Sequence, residues 1–64
     1  NEYMLLQLMT EIGSNINEIS RERIKKFINR RNIDYKIIIK LASHFPSKAI
    51  KNLIISGVLD NHIF

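Results

Sequence analysis

The sequence predicts an all-α fold, in which four short helices form two helix-turn-helix hairpins as a small bundle or a solenoid fragment. Two observations predict it. Apolar residues recur at the i, i+3, i+4 and i+7 spacing that collects side chains on one face of a helix. Residues typical of helix ends separate these stretches. The helices are expected near residues 2–14, 20–31, 34–45 and 47–56.

The length and composition of the chain limit its class. Its 64 residues allow one small domain, 1–64, near the lower limit for a chain that folds alone. Since the first residue is not methionine, a fragment of a larger protein is one interpretation. The absence of cysteine fits a reducing compartment, so we expect an intracellular protein of the cytoplasm or nucleus. No stretch approaches the roughly 20 apolar residues of a membrane span.

The first helix carries one apolar stripe at helical spacing, formed by Leu5, Leu8, Met9, Ile12 and Ile16. Tyr3, Met4 and Leu6 widen its apolar surface beyond this stripe. Such a helix is either central to the fold or packed against something outside the chain. Gly13 is predicted to end it, because glycine adopts the left-handed conformation of a C′ position at little cost.

Ser20 is the predicted N-cap of the second helix, because its hydroxyl can accept a hydrogen bond from a free N–H of the first turn. Ile19 and Ile24 then occupy the two positions of a hydrophobic staple, one before the cap and one in the helix. Ile24, Phe27 and Ile28 are expected to face inward.

Asp34 is the predicted N-cap of the third helix, with Ile33 and Ile38 as its staple. The run 37–39 is β-branched and typical of a strand, but the apolar spacing continues at i+4 and favours a helix. The buried stripe is expected to consist of Ile37, Ile38, Leu41, Ala42 and Phe45.

Pro46 is predicted to end the third helix and to begin the fourth as its first helical residue, because proline has no N–H and a preset φ. The fourth helix should bury Ile50, Leu53 and Ile54. Gly57 is expected to end it.

The second half of the chain repeats the pattern of the first at an offset of 26 residues. Residues 24–28 correspond to residues 50–54, and the predicted repeat units are 8–33 and 34–59. If this duplication is real, each unit is a hairpin that cannot bury its apolar face alone, so stacking of units builds the core. The alternative is a chance match between amphipathic helices of equal length.

Two families resemble parts of this chain. Residues 48–61, KAIKNLIISGVLDN, resemble the second helix and exit of an ankyrin repeat, and residues 23–34 are similar to the same segment. This resemblance implies a degenerate helical-repeat module for protein–protein interaction, although the Thr-Pro-Leu-His of that family is missing. Residues 24–34 and 41–42 resemble the first two helices of phage-repressor-type helix-turn-helix domains, which implies DNA binding.

The favoured function is a non-enzymatic protein–protein interaction or self-association module. Its predicted contact residues are Tyr3, Met4, Leu6, Ile63 and Phe64. The alternative is nucleic-acid binding. The chain has a net charge of +4, and residues 21–40 hold eight lysines and arginines against two acids. The predicted nucleic-acid contacts are Arg21, Arg23, Lys25, Lys26, Arg30, Lys40, Lys48, Lys51 and Asn52. A basic stretch of this kind also suits an acidic partner or a solvated helix face.

No motif predicts catalysis, a cofactor or a metal site. His44 and His62 are the only histidines, and they lack the spacing of a zinc site. The serines lie where caps and turns are expected, outside any nucleophile-elbow context. Gly13 and Gly57 stand alone, so no glycine-rich loop can hold a phosphate. We therefore expect the chain not to be an enzyme.

Overall fold

The computed structural model describes residues 2–61, which form four α-helices and no strand. Helix α1 spans Glu2–Ser14, α2 spans Glu18–Arg31, α3 spans Tyr35–Ala42 and α4 spans Ser47–Ile55. The predicted all-α class is therefore confirmed. None of these helices between residues 2 and 61 combines the length and the apolarity that crossing a bilayer requires.

Helix α1 is central, because it contacts each of the other three helices and packs most extensively against α4 and α2. Four residues of the stripe predicted on α1 are buried against these neighbours: Leu5, Leu8, Met9 and Ile12. The fifth, Ile16, follows the end of α1 and is exposed, so the prediction is wrong for Ile16. The buried cluster also includes residues from every other helix and from the segment after α4. It consists of Leu5, Leu8, Met9, Ile12, Ile24, Ile38, Ala42, Leu53, Val58 and Leu59.

Gly13 lies inside α1 and is buried, so the prediction that it ends the helix as a left-handed residue is wrong. Helix α1 ends at Ser14, the residue at which its end was predicted. The need for glycine is steric: a Cβ atom on Gly13 would lie 2.8 Å from the Cβ atom of Ala49 in α4. Gly13 therefore allows the backbones of α1 and α4 to approach closely.

Helix α2 begins one turn earlier than predicted, because Asn17 rather than Ser20 is its N-cap. Asn17 has an extended backbone (φ −144°, ψ 161°), and its side-chain oxygen accepts a hydrogen bond of 2.8 Å from the Ser20 N–H. The earlier start places Glu18 in the first turn, where the helix dipole favours negative charge. It also places Ile19 within the helix, 72% exposed, so the predicted staple with the buried Ile24 is wrong.

Helix α3 begins as predicted but ends three residues early. The Asp34 side chain accepts a hydrogen bond of 3.0 Å from the Lys36 N–H, which makes it the N-cap. The helix ends at Ala42, and a short turn follows rather than a continuous helix to residue 45. Pro46 is the N-cap of α4 rather than the first helical residue that was predicted. Helix α4 begins at Ser47 and ends at Ile55.

Helices α2 and α4 end in the same way. Asn32 and Gly57 both adopt the left-handed conformation, with φ of 53° and 88°. The next residue, Ile33 or Val58, donates its N–H to the carbonyl oxygen five residues earlier, at 3.1 and 2.9 Å. This is the Schellman arrangement, and it confirms that Gly57 closes α4. The two left-handed residues, Asn32 and Gly57, are 25 positions apart in the sequence. The division into units 8–33 and 34–59 stays a prediction.

Candidate protein interaction surfaces

The exposed face of α1 carries the first candidate surface. Tyr3 is 82% exposed and Met4 is 48% exposed, whereas Leu6 is half-buried. Tyr3 is exposed because it lies two positions before the buried Leu5, about 200° away around a helix of 3.6 residues per turn. Ile63 and Phe64, the other predicted contact residues, lie outside the described residues.

A shallow groove runs along this face of α1. Its lining is Tyr3, Leu6, Gln7, Thr10, Glu11 and Ser14. The Thr10 hydroxyl donates a hydrogen bond of 2.8 Å to the Leu6 carbonyl oxygen, so its proton is already used within the helix. The aromatic ring of Tyr3 is thus bordered by polar side chains, which is the pattern of an apolar contact with a polar rim.

Helix α4 exposes a second apolar surface that the sequence analysis missed. Ile55 is 62% exposed, and Ile50 and Ile54 are half-buried beside it. They line an open groove together with Ser47, Lys51 and Asn61. A signal was present, because Ile55 lies two positions after the buried Leu53 and therefore on the opposite side of the helix. The unbroken apolar run 53–55 concealed that signal.

Two residues that were predicted to bind nucleic acid donate hydrogen bonds to carbonyl groups at the ends of helices in this chain. The Nε atom of Arg21 donates a hydrogen bond of 3.0 Å to the carbonyl oxygen of Ser56, just after α4. The Nδ2 atom of Asn52 donates one of 2.9 Å to the carbonyl oxygen of Gly13, in the last turn of α1. Carbonyl groups at the end of a helix lack partners within the helix, so these side chains satisfy them. Both residues connect elements that are distant in the sequence.

The other predicted nucleic-acid contacts are exposed. The Nη1 atom of Arg23 lies 3.5 Å from an oxygen of Glu11, an exposed ion pair whose effect on stability is small. Lys26 and Arg30 lie four residues apart on α2, on the side away from Ile24. The exposed lysines and arginines of this set belong to three helices. They are Arg23, Lys25, Lys26, Arg30, Lys40, Lys48 and Lys51.

Within residues 2–61, no three histidine, aspartate or glutamate side chains lie together in a way that could hold a metal ion. No family model, no curated protein and no solved structure matches the chain. The resemblances to ankyrin repeats and to helix-turn-helix domains stay predictions.

Proposed function

We propose that this chain is a non-enzymatic protein-interaction module, which binds a protein partner or another copy of itself through the exposed face of α1. The observation that supports the proposal is the 82% exposure of Tyr3, beside the 48% exposure of Met4. Both belong to the helix that supplies more residues to the buried cluster than any other helix. Tyrosine is enriched among the residues that contribute most to binding, because it buries a large area with few rotatable bonds.

The test is sedimentation of the chain over a range of concentrations, with variants matched in exposure. Tyr3→Asp places a charge on the proposed surface. Ile19→Asp is the control, because Ile19 is 72% exposed on a different helix, so both changes replace an exposed apolar side chain by the same charge. We expect the wild type and Ile19→Asp to associate as concentration rises, and Tyr3→Asp to stay monomeric. A monomeric wild type, or a Tyr3→Asp variant that associates normally, would contradict self-association through α1.

The second candidate function is binding to DNA, which is supported by the exposed Lys26 and Arg30 on α2 and by the net charge of +4. The test adds a random-sequence duplex to the sedimentation experiment at low and high salt. Phosphate contacts predict a log–log salt slope of about −0.9 per phosphate neutralised, whereas an apolar contact responds little. Lys26→Glu combined with Arg30→Glu should abolish duplex binding and leave protein association unchanged. Absence of co-sedimentation at low salt would exclude this candidate.

A further inference from the structure

The exposed faces of α1 and α4 carry opposite charge. Helix α1 contains two glutamates and no lysine or arginine, whereas α4 contains two lysines and no acidic residue. Each face also exposes apolar side chains. The acidic face consists of Tyr3, Leu6 and Glu11, which line one groove, with Glu2 and Met4 at its edges. Glu2 also borders a second groove, which contains Arg31 and Asp34. The basic face consists of Lys48, Lys51, Ile54 and Ile55.

The two faces belong to different helices, and Lys51 remains accessible when the Tyr3 face is covered. Lys48 lies closer to α1, because it borders a groove that Thr10 and Ser14 also line. Ala49 is the residue of α4 that meets Gly13 of α1. Lys51 lies two positions later, about 200° around the helix, and therefore points away from α1. Tyr3 lies on the side of α1 opposite the buried Leu5. No residue belongs to both faces.

We propose that the acidic face of one copy binds the basic face of a second copy, which gives a head-to-tail contact. This inference rests on the proposed function and names the partner and the surface that α1 contacts. A contact between one face and the same face of a second copy would instead oppose two acidic faces or two basic faces, and like charges across an interface are unfavourable. A head-to-tail contact brings the glutamates of one copy to the lysines of the next and covers Tyr3 and Ile55 together.

Neighbouring charges leave this complementarity in place. Arg23 approaches Glu11 at 3.5 Å, but both side chains are exposed, so solvent screens the pair. The groove beside Ile55 contains Lys51 and no acidic residue of the described chain. Asp60 is next to Asn61 in the sequence but does not line that groove. Its N–H donates a hydrogen bond of 2.7 Å to the Tyr35 hydroxyl oxygen.

The size of the faces sets the concentration at which association is expected. Helix α1 has 13 residues and is therefore about 20 Å long. A standard interface buries about 800 Å² on each partner, whereas the whole chain exposes 4584 Å². One helix face provides less than a standard interface. We therefore expect a weak contact, with a Kd of roughly 10 μM to 1 mM.

A mixing experiment tests the head-to-tail contact. Tyr3→Asp blocks the acidic face and leaves the basic face intact, whereas Ile55→Asp blocks the basic face and leaves the acidic face intact. Each variant alone is expected to stay monomeric at 1 mM or to associate at least about tenfold more weakly than the wild type. An equal mixture should form a 1:1 dimer, because one intact acidic face meets one intact basic face. The wild type should grow beyond the dimer, as a ring or a filament.

The behaviour of the two variants separates this inference from the proposed function. If Ile55→Asp associates as strongly as the wild type while Tyr3→Asp does not, α1 is the contact surface and the head-to-tail arrangement is refuted. If both variants are monomeric and their mixture is too, one intact acidic face and one intact basic face do not suffice for association, and the inference is again refuted. If the wild type does not associate, self-association fails and so does this inference. Far-UV circular dichroism of each variant verifies that its helices are intact.

A charge exchange tests the same contact without touching its apolar residues. Lys51→Glu should weaken association about two- to fivefold, as expected for one or two exposed charge pairs. The double variant Lys51→Glu with Glu2→Lys in one chain carries reversed but still complementary charges on its two faces, and should therefore recover part of the loss. Arg30→Glu is the control, because Arg30 belongs to neither face. Equal effects of Lys51→Glu and Arg30→Glu would overturn the charge complementarity.

Discussion

Replacement of Gly13 by alanine is expected to destabilise the protein, although this substitution normally stabilises a helix. In an exposed helix interior, alanine is about 1 kcal/mol more favourable than glycine. Here the added Cβ atom would lie 2.8 Å from the Cβ atom and 3.5 Å from the Cα atom of Ala49. The first distance is about 1 Å short of an ordinary contact between carbon atoms, so α1 and α4 must separate.

The magnitude follows from two opposing contributions and one secondary loss. Overpacking of a core contact typically costs about 1–3 kcal/mol, against the gain of about 1 kcal/mol from helix propensity. Separation of the helices also weakens the 2.9 Å hydrogen bond from Asn52 to the Gly13 carbonyl oxygen, which adds about 1 kcal/mol. We therefore expect a net loss of about 1–3 kcal/mol. For a domain of this size, that lowers Tm by roughly 4–24 °C.

Urea unfolding followed by circular dichroism measures this change in the free energy of unfolding. The double variant Gly13→Ala with Ala49→Gly is informative, because it moves the methyl group from α4 to α1 and removes the clash. We expect it to be more stable than the sum of the two single changes predicts, by about 1–3 kcal/mol of coupling. Ser14→Ala is the control for helix propensity at an exposed neighbouring position. If Gly13→Ala raised the stability by about 1 kcal/mol, the close approach of α1 and α4 would be refuted.

Two further predictions concern the ends of the helices. Asn17→Ala should lower the free energy of unfolding by about 1 kcal/mol because it removes the N-cap acceptor of α2, whereas Ser20→Ala should have little effect; equal losses in urea unfolding would contradict this assignment. Gly57→Ala should cost about 1 kcal/mol because its φ of 88° disfavours a side chain. Gly57→Asn should cost less, since asparagine tolerates the left-handed conformation, and the thermal midpoints of the two variants would show the difference.

The sequence predicted the helical segments and several of their ends correctly, because those features depend on neighbouring residues. The capping by Asp34 and the left-handed Gly57 follow from backbone chemistry within about five positions. Errors arose where two residues were competent for one role. Asn17 and Ser20 are both suitable caps, and the structure uses Asn17, which lengthens α2 and leaves Ile19 exposed.

The candidate surfaces were predictable only in part. Tyr3 and Met4 lie outside the apolar stripe of α1, so their exposure could be anticipated from helical spacing. The predicted buried residues of α4 left out Ile55, but residues 53–55 are all apolar, so spacing alone did not fix the rotation of α4 or identify Ile55 as a surface residue. The contact of Ala49 with Gly13 decides that rotation and leaves Ile55 outside.

By itself, the sequence determined the all-α class, the approximate helices and the roles of Asp34 and Gly57 at helix ends. Hydrogen bonds within a helix and at its caps join residues a few positions apart, which is why these features are local. The tertiary structure decided that α1 is central and that Gly13 serves packing rather than helix termination. It also assigned Arg21 and Asn52 to carbonyl groups 35 and 39 residues away. Such partners depend on how whole helices meet in space, which spacing along the chain does not specify.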